Sequence, residues 1–289
     1  MKTIIKITLL LLFPVLLNAQ NGVRFSDKFG PFHDTYQQEN DMSNRSYVKY
    51  PFVKEADIMW SKVTWEIIDL REKMNLPLYY PTDTLHNRKS FINAIIDGIE
   101  MGHFNAFSVP INNNEFEFNP NNIIMSIEDV RDINKREEIV PVTIRPGVTR
   151  DSLITIRWKP EEIKQILVKE VWYIDKIDSK LKSEIIGLCP IREYNYNGML
   201  RRQRLFWIYY PDARPYLATV PYYNLEDNKP SNSFDDVFVN RYFRSYFVQE
   251  SNVYNDRLIT DYLTGREAQM ESERIKREIF DKEQDLWEN

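Results

Sequence analysis

The chain has 289 residues, of which 43% are hydrophobic and 28% charged, and its mean hydropathy is −0.51. This composition is typical of a soluble globular protein, and no apolar run beyond the first twenty residues could span a bilayer, which excludes a polytopic membrane protein. The net charge is −5, and without Lys2 and Lys6 it becomes −7, from 36 basic against 43 acidic residues, the opposite of a nucleic-acid binder. Eight glycines argue against a Gly-rich phosphate cradle, and one cysteine excludes a disulfide framework.

Residues 1–19 have the pattern of a secretory signal peptide. Two lysines precede a short apolar block from Ile7 to Leu17, and Asn18-Ala19-Gln20 follows it. We expect cleavage between Ala19 and Gln20. No cysteine lies near this position, so any attachment to a membrane is expected to come through a partner. The single cysteine, Cys189, is expected to be an apolar core residue in a strand.

Residues 20–51 are predicted to form an extended N-terminal arm. Their composition is polar and lacks apolar periodicity, which indicates an extended or disordered segment. Phe25, Phe29 and Phe32 make the arm more aromatic than a linker needs, so we expect it to order against a neighbouring surface. An α+β core domain is then expected over residues 52–264, and a C-terminal helical tail over residues 265–289.

Two helices are predicted at the start of the core domain. Between Lys54 and Met74 one helical stripe holds five apolar residues, and three more lie outside it, so this long helix is expected to bury two faces. The stripe consists of Trp60, Val63, Ile67, Leu70 and Met74, and the other three are Ile58, Trp65 and Ile68. A second helix is predicted over Lys89–Met101 and ends at Gly102, a candidate left-handed cap.

The middle of the chain changes to the period of β-strands. A hairpin is predicted from Ala106–Val109 and Glu115–Phe118, and a short helix begins at Ser126, with Asp129 completing a capping box. Antiparallel strands rich in Ile, Val, Trp and Tyr are then predicted over Leu153–Trp158, Ile166–Ile174, Leu181–Ile191 and Arg204–Tyr210. Because no crossover helix of normal length separates them, a parallel doubly wound sheet is disfavoured. The predicted class is α+β: a mainly antiparallel sheet packed with amphipathic helices, an extended N-terminal arm and a C-terminal helix.

The last third of the chain combines an aromatic loop with a charged helix. Residues 209–223 are rich in tyrosine and punctuated by proline, which predicts a loop. Glu267–Trp287 predicts a helix with a narrow apolar stripe of Ile275, Ile279 and Leu286, with Phe280 and Trp287 beside it. Such a helix docks either on its own core or on a partner, and the sequence leaves both open.

The sequence predicts no catalytic, cofactor-binding or metal-binding residue. His33, His86 and His103 have no spacing that would place two imidazoles on one face, and no nucleophile elbow or phosphate-binding loop is present. The adjacent acids are expected to be surface or helix-start charges, because sequence neighbours point apart; they are Asp235-Asp236, Glu161-Glu162 and Glu226-Asp227. A cell-envelope glycosidase would require the fold to bring two distant carboxylates together.

Aromatic residues are the more informative feature, since Tyr, Phe and Trp make up 13% of the chain. Protein interfaces and sugar-binding modules both use Tyr and Trp, because their rings bury a large area and keep a polar group. Tyr209, Tyr210, Tyr222 and Tyr223 are therefore interface candidates. A cell-envelope glycosidase or glycan-binding module remains the alternative to a protein-binding function.

Long ordered blocks of the chain resemble those of a known family. The blocks are Ile58–Lys62 with Trp65, Ile68–Pro81, Phe206–Pro211, Ser233–Phe238, Glu250–Tyr254, Glu271–Lys276 and Asp285–Glu288. From about residue 52 to the end, the sequence resembles the gliding-motility family GldN, called PorN in non-gliding relatives.

This resemblance implies a periplasmic structural component of the type IX secretion system of Bacteroidota. Its expected partners are a GldK/PorK-like outer-membrane lipoprotein, other copies of itself in a ring, and the periplasmic part of a GldM/PorM-like motor subunit. Localisation would then be the inner face of the outer membrane. A ring built from head-to-tail contacts needs two different patches on each subunit. We nominate the aromatic loop at Tyr209–Tyr223 as one, and the C-terminal helix around Ile275, Phe280 and Trp287 as the other.

Overall fold

The structure is a computed structural model that describes residues 45–84, 88–110, 118, 123–145, 148–177, 179–196, 198–224 and 232–287. The predicted signal peptide, most of the predicted arm, His33, His86 and the acidic pair Glu226-Asp227 lie outside these ranges. Predictions about those residues stay predictions.

Strands dominate the described residues. The strands are β1 Ile58–Asp69, β2 Ala106–Phe107, β3 Ile124–Met125, β4 Arg136–Arg145, β5 Val148–Ile156, β6 Ile163–Asp175, β7 Leu181–Tyr196, β8 Met199–Arg204, β9 Trp207–Tyr209, β10 Pro221–Tyr222, β11 Asn232–Ser233 and β12 Ser245–Glu250. The α-helices are α1 Leu76–Tyr79, α2 Phe91–Glu100, α3 Ile127–Arg131, α4 Tyr210–Leu217, α5 Phe234–Val239 and α6 Gly265–Trp287. Short 3₁₀ turns occur at Glu55–Asp57, Lys73–Asn75, Pro160–Glu162 and Ile259–Asp261.

One large antiparallel sheet organises the fold. Its strand order is β12-β1-β6-β7-β9-β2-β3, and β8 pairs with β7 outside this path. The pairs β4–β5 and β10–β11 form separate two-stranded sheets. Every pair in the large sheet is antiparallel, and helices pack against it, so the predicted α+β class is confirmed.

The predicted helix at Lys54–Met74 is wrong, because most of this segment is strand β1. β1 pairs with β12 on one side and β6 on the other, so it is an interior strand. Interior strands carry apolar residues on both faces, and Trp65 and Ile68 are accordingly both buried. The apolar residues outside the helical stripe were thus the signal of a strand, and the β-branched and aromatic composition agrees with it.

The other local predictions have mixed outcomes. The helix predicted at Lys89–Met101 is α2, capped by Ser90 and followed by Gly102 with a φ of 72°. The capping box at Ser126 and the C-terminal helix are also confirmed, as α3 and α6. The four predicted strands correspond to β5, β6, β7 and β9. The hairpin is not confirmed: β2 pairs with β3 and β9, and residues 111–117 lie outside the described ranges.

The predicted loop at residues 209–223 is wrong in its first half, which is helix α4. Pro211 lies in its first turn, where a backbone N–H has no carbonyl partner within the helix, so the absence of this N–H in proline breaks no helical hydrogen bond. Proline there is therefore compatible with a helix start.

The core has two layers separated by the sheet. On one face, Ile166, Val168 and Leu188 pack with apolar residues of α2, α4 and α5. On the other face, Leu167 and Cys189 pack with Trp65 and Trp207. Successive residues of a strand point to opposite faces, which explains why Leu188 and Cys189 belong to different layers. The prediction that Cys189 is a buried strand residue is confirmed, and burial raises the pKa of its thiol.

Candidate functional site

Two buried carboxylates converge on one arginine near the edge of the large sheet. Glu66 on β1 and Glu170 on β6 are diagonal neighbours on adjacent strands, because Thr64 pairs with Glu170 and Glu66 pairs with Val168. Both glutamates are almost fully buried. Nη1 of Arg241 donates to the two carboxylate oxygens of Glu170 at 2.5 and 2.6 Å, and Nη2 to those of Glu66 at 3.0 and 3.1 Å. A single guanidinium therefore contacts all four oxygens.

The charge of this cluster is not balanced, because two carboxylates face one guanidinium. Burial, followed by the charge of Glu66, raises the pKa of Glu170 to about 7, although Arg241 opposes the shift. Burial disfavours the charged form of Arg241, but Glu66 and Glu170 together raise its pKa above the ordinary value. Arg241 also lies 4.9 Å from the ring centre of Trp172.

The cluster has the residue types of a glycosidase site, but not its geometry. Glycoside hydrolysis needs two carboxylates that face each other across a cleft open to the sugar. Here the guanidinium of Arg241 occupies the space between Glu66 and Glu170 and bonds to both. The hydroxyl of Ser245 also donates to Glu66 at 2.7 Å. This arrangement ties three strands and a loop together and leaves no carboxylate oxygen directed at a substrate.

A second buried ion pair joins α4 to α5. Nε of Arg214 donates to Oδ1 of Asp235 at 2.8 Å, and the hydroxyl of Tyr210 donates to the same oxygen at 2.8 Å. Asp235 and Asp236 both lie in the first turn of α5, as predicted for helix-start charges. Asp236 forms the capping box with Ser233, whereas Asp235 is buried instead of lying at the surface.

The end of the N-terminal arm packs over this ion pair. The ring of Tyr50 lies 4.2 Å from the guanidinium carbon of Arg214, and that of Tyr47 lies 5.2 Å from it. Arg45 forms a salt bridge of 2.9 Å with Asp236. Burial raises the pKa of Tyr50 above its ordinary value. The last residues of the arm are thus ordered on the chain's own helices.

The other acidic and histidine residues considered in the sequence analysis lie on the surface or contact neighbouring side chains of the fold. Glu162 bonds to Nε of Arg192 at 2.6 Å, while Glu161 is exposed. His103 stacks on Tyr216 with ring centres 4.7 Å apart. Within the described ranges, no group of three or more His, Cys, Asp or Glu side chains could hold a metal ion.

Two of the four tyrosines nominated for an interface are core residues of this chain. Tyr210 packs on Phe238 with ring centres 5.7 Å apart, and Tyr222 on Phe234 at 5.9 Å. Tyr210 is buried because it lies in helix α4, which packs on α5, and Tyr222 is buried because it lies on β10 against the start of α5. Tyr209 and Tyr223 are half-buried and keep some accessible surface, so the interface role of this region stays a prediction that rests on these two residues.

The C-terminal helix α6 docks on the chain's own sheet. Ile275 is fully buried against Trp172, Phe247 and Ile259, and Ile279 lies in the same cluster. Ile275 is therefore part of the chain's own core, and the interface nominated on α6 stays a prediction. Phe280, in contrast, is 49% exposed, and the side chain of Trp287 lies outside the described set. The outer face of α6 keeps its interface role as a prediction.

Ion pairs fasten α6 at the same place. Nζ of Lys62 on β1 donates to Glu250 at 2.7 Å and to Glu278 of α6 at 2.8 Å. Arg274 bridges the same two carboxylates from the helix side at 2.9 and 2.7 Å. Four charged groups from two strands and one helix thus form one network.

Two hairpins carry exposed apolar residues that the sequence did not single out. On β5, Leu153 is 62% exposed, and Ile154 and Ile156 are also exposed. At the β7–β8 hairpin the exposed residues are Tyr196, Met199 and Leu200. Arg136 at the start of β4 lies over the ring of Tyr196, 4.7 Å from its centre, so the two hairpins are in contact.

Sequence reasoning missed Glu66, Glu170 and Arg241. A signal was available for the two glutamates, because each lies inside an apolar run, Trp65 to Ile68 and Ile166 to Ile174. Charged residues are almost never fully buried without a partner, so a glutamate inside a buried strand predicts a buried ion pair. Arg241 carries no comparable signal.

The fold and its surfaces describe an α+β protein whose converging carboxylates are held by arginines and whose exposed apolar residues include those of two hairpins and of helix α6. Exposed Tyr, Met and Arg of this kind are typical of protein–protein interaction surfaces. None of the helices in the described ranges combines the length and apolar character of a membrane span.

A family model described as "Gliding motility associated protein GldN" matches residues 53–288. The chain belongs to this family, as its ordered blocks had indicated. No curated protein matches the chain.

Proposed function

We propose that the chain is a non-enzymatic structural subunit of the type IX secretion and gliding-motility machinery. The observation that carries this proposal is the family match, which spans residues 53–288 and so includes nearly the whole described domain. The pattern of a secretory signal in residues 1–19 supports a periplasmic location.

In this proposal the subunit assembles into a ring at the inner face of the outer membrane. It binds a GldK/PorK-like lipoprotein, which supplies the membrane anchor, and it contacts the periplasmic part of a GldM/PorM-like motor subunit. The lack of a cysteine near Ala19 supports anchoring through a partner. A subunit bound on one side by an anchored lipoprotein and on the other by a motor subunit can transmit force between them.

The construction of the domain supports a mechanical role. Strands β1, β6 and β7 have 12, 13 and 16 residues and are adjacent in the sheet. The network of Lys62, Glu250, Arg274 and Glu278 couples this sheet to α6. A load applied to α6 would therefore reach β1 and β12 through both charge pairs and apolar packing.

The geometry of the buried carboxylates argues against a glycosidase site at Glu66, Glu170 or Asp235. Glu66 and Glu170 are closed off by Arg241, and Asp235 is bonded to Arg214 and Tyr210. A two-carboxylate glycosidase would need such carboxylates free to reach the sugar.

The test is the native mass and composition of the tagged protein after gentle extraction of the outer-membrane fraction, with negative-stain images of the peak. We expect a megadalton-scale particle that contains a lipoprotein in fixed ratio. Deletion of the gene should abolish secretion of many unrelated cargoes at once. A free monomer without a stable companion would contradict the proposal.

The glycan-binding alternative has one candidate location. A cavity of about 560 Å³ is lined by Tyr222, Tyr242, Asn224, Asn232, Glu72, Lys73, Met74 and Arg244. Tyrosine rings beside amide and charged groups are the side chains that sugar recognition uses. Saturable binding of purified muropeptides by the monomer, lost in Tyr242→Ala, would favour this alternative over the scaffold.

A further inference from the structure

The ribbon of β4 and β5 is a small sheet with uncovered edges. The two strands pair with each other along most of their length and, among the described residues, with no other strand. A two-stranded hairpin is at best marginally stable alone in water. An additional strand would extend this small sheet.

The two edges of the ribbon differ in their ability to accept such a strand. β4 contains Pro141, which has no N–H to donate, and proline is confined to the edges of sheets. β5 has neither proline nor charge from Ser152 to Ile156, and its Leu153 and Ile154 are exposed. Proteins normally protect exposed edges with proline, charges or a covering segment. The edge of β5 is therefore the open one.

The N-terminal arm has a suitable pattern for this edge. The arm as a whole lacks apolar periodicity, but in Val23–Phe29 three of the four alternate positions are apolar, Val23, Phe25 and Phe29, with Asp27 as the exception, and the positions between them are polar. Val23–Phe29 itself carries two basic residues against one acidic one, and the acidic excess of the arm lies in residues 30–44, which have three acidic residues and no Lys or Arg. The two hairpins have the opposite balance, because residues 136–157 and 192–204 together contain eight arginines against four acidic residues. Charge thus favours residues 30–44 of the arm beside the hairpins, whereas Val23–Phe29 suits the edge of β5 through its apolar residues.

The arm is also long enough to reach another copy. It is anchored where Arg45 bonds to Asp236 and Tyr50 packs on Arg214. The 15 residues between Phe29 and Arg45 could extend about 50 Å at roughly 3.3 Å per residue. The compact unit from Met42 to Asn289 would have a radius of gyration of about 18 Å for its length. The paired segment of the arm can therefore lie beyond the surface of its own subunit and reach a neighbouring copy.

We propose that residues Val23–Phe29 of one copy pair as an added strand along Ser152–Ile156 of β5 in the neighbouring copy. The contact is head-to-tail, since the arm and β5 are different surfaces, and such contacts build rings or open arrays. Adding a strand to a sheet edge gives affinity through main-chain hydrogen bonds and specificity through alternate side chains. This inference rests on the proposed function in one respect: it requires that copies lie side by side.

The experiment is cysteine cross-linking in the intact cell envelope. One copy carries Phe25→Cys and one tag, and a co-expressed copy carries Thr155→Cys and another tag. The native Cys189 is fully buried and does not compete. The control pairs Phe25→Cys with Ile177→Cys, an exposed residue at the opposite end of β7 from the β7–β8 hairpin. We expect a disulfide-linked dimer that carries both tags, and at least tenfold less of it in the control.

Three results would overturn the inference. They are equal cross-linking in the control, a disulfide-linked dimer that carries only one of the two tags, and no cross-link while the particle keeps its wild-type size. In the last case the proposed function survives and only the strand pairing fails. If the wild-type protein forms no large particle at all, the proposed function itself fails. Urea unfolding of the Thr155→Cys variant, expected to match the wild type, shows that its domain is intact.

Discussion

Arg241 holds two carboxylates that would otherwise repel each other inside the sheet. Replacing it with methionine keeps much of the side chain's bulk over Trp172 but leaves Glu66 and Glu170 buried and unpaired. Removing one partner of a buried ion pair typically costs about 3 to 5 kcal/mol. We therefore expect Arg241→Met to lower the free energy of unfolding by about that amount, measured by urea denaturation at pH 7.

The matched control for this variant is Arg244→Met, three residues further along. Arg244 has a side chain 76% exposed and is 3.5 Å from Glu72, so its ion pair is a surface pair. Surface pairs contribute about 0 to 1 kcal/mol. If the two variants lost stability equally, the cluster around Arg241 would not be the buried structural ion pair described above.

The pH dependence of stability follows from Glu170. Its pKa is raised from 4.5 to about 7 in the folded protein, so the folded state binds the proton more tightly than the unfolded chain. The stability linked to this group is fully present below pH 4.5 and is lost as the pH rises through about 7.

Replacing Glu170 with glutamine removes this titration. The stability of Glu170→Gln relative to the wild type should therefore improve as the pH rises from about 5 to about 8. Urea unfolding curves recorded at several pH values in that range would show this change. Glu161→Gln, at an exposed position, controls for the loss of a surface carboxylate. A constant difference between Glu170→Gln and the wild type at all pH values would contradict the assignment.

At the scale of one element, helix α6 combines a docked face with a free one. Ile275 is fully buried in a cluster with Trp172 and Phe247, and Ile→Ala changes in cores cost about 2 to 5 kcal/mol. Ile275→Ala should lower the free energy of unfolding by about that amount. It should also increase the rate of amide hydrogen exchange in α6 more than in the rest of the domain. Lys276→Ala, at the exposed neighbouring position, should leave both quantities near the wild type. Equal exchange in both variants would show that the helix does not depend on this contact.

Elements with a local signal could be predicted from the sequence, and those defined by distant partners could not. Helix α2, the capping box at Ser126 and helix α6 follow from caps and a 3.6-residue period, so they were predicted correctly. Strand β1 was not, because five of its apolar or flanking residues also fit a helical stripe. Its pairing with β6 and β12, more than 90 residues away in the chain, decided the outcome.

The same limit applies to the candidate site. Arg241 is 71 residues from Glu170 and 175 from Glu66, and no local pattern reports such contacts. Tyr210 and Tyr222 looked like interface residues because tyrosine suits both surfaces and cores. Only the packing of α4 and α5 on the sheet placed them inside.

At the scale of the whole molecule, the sheet connects the sites that sequence reasoning treated separately. The ring of Trp172 on β6 contacts the guanidinium of Arg241. Trp172 also packs in the apolar cluster that contains Ile275 and Ile279 of α6. The buried ion cluster and the docking of the C-terminal helix therefore share one side chain. Assembly through the outer face of α6 would add load to a helix that is already fixed to the sheet by Ile275 and by the Lys62 network.

The last prediction concerns assembly through that outer face. Phe280 is 49% exposed and contributes little to the chain's own core, so replacing Phe280 and Trp287 together with glutamate should leave the monomer's unfolding curve close to that of the wild type. The same variant should lose the large envelope particle, because a charge buried at an interface is costly without a partner. Ile177→Glu, at an 81% exposed turn, controls for the added charge and should retain the particle. A particle of normal size together with normal secretion in the double variant would remove α6 from the interface, and a misfolded monomer would assign both residues to the core.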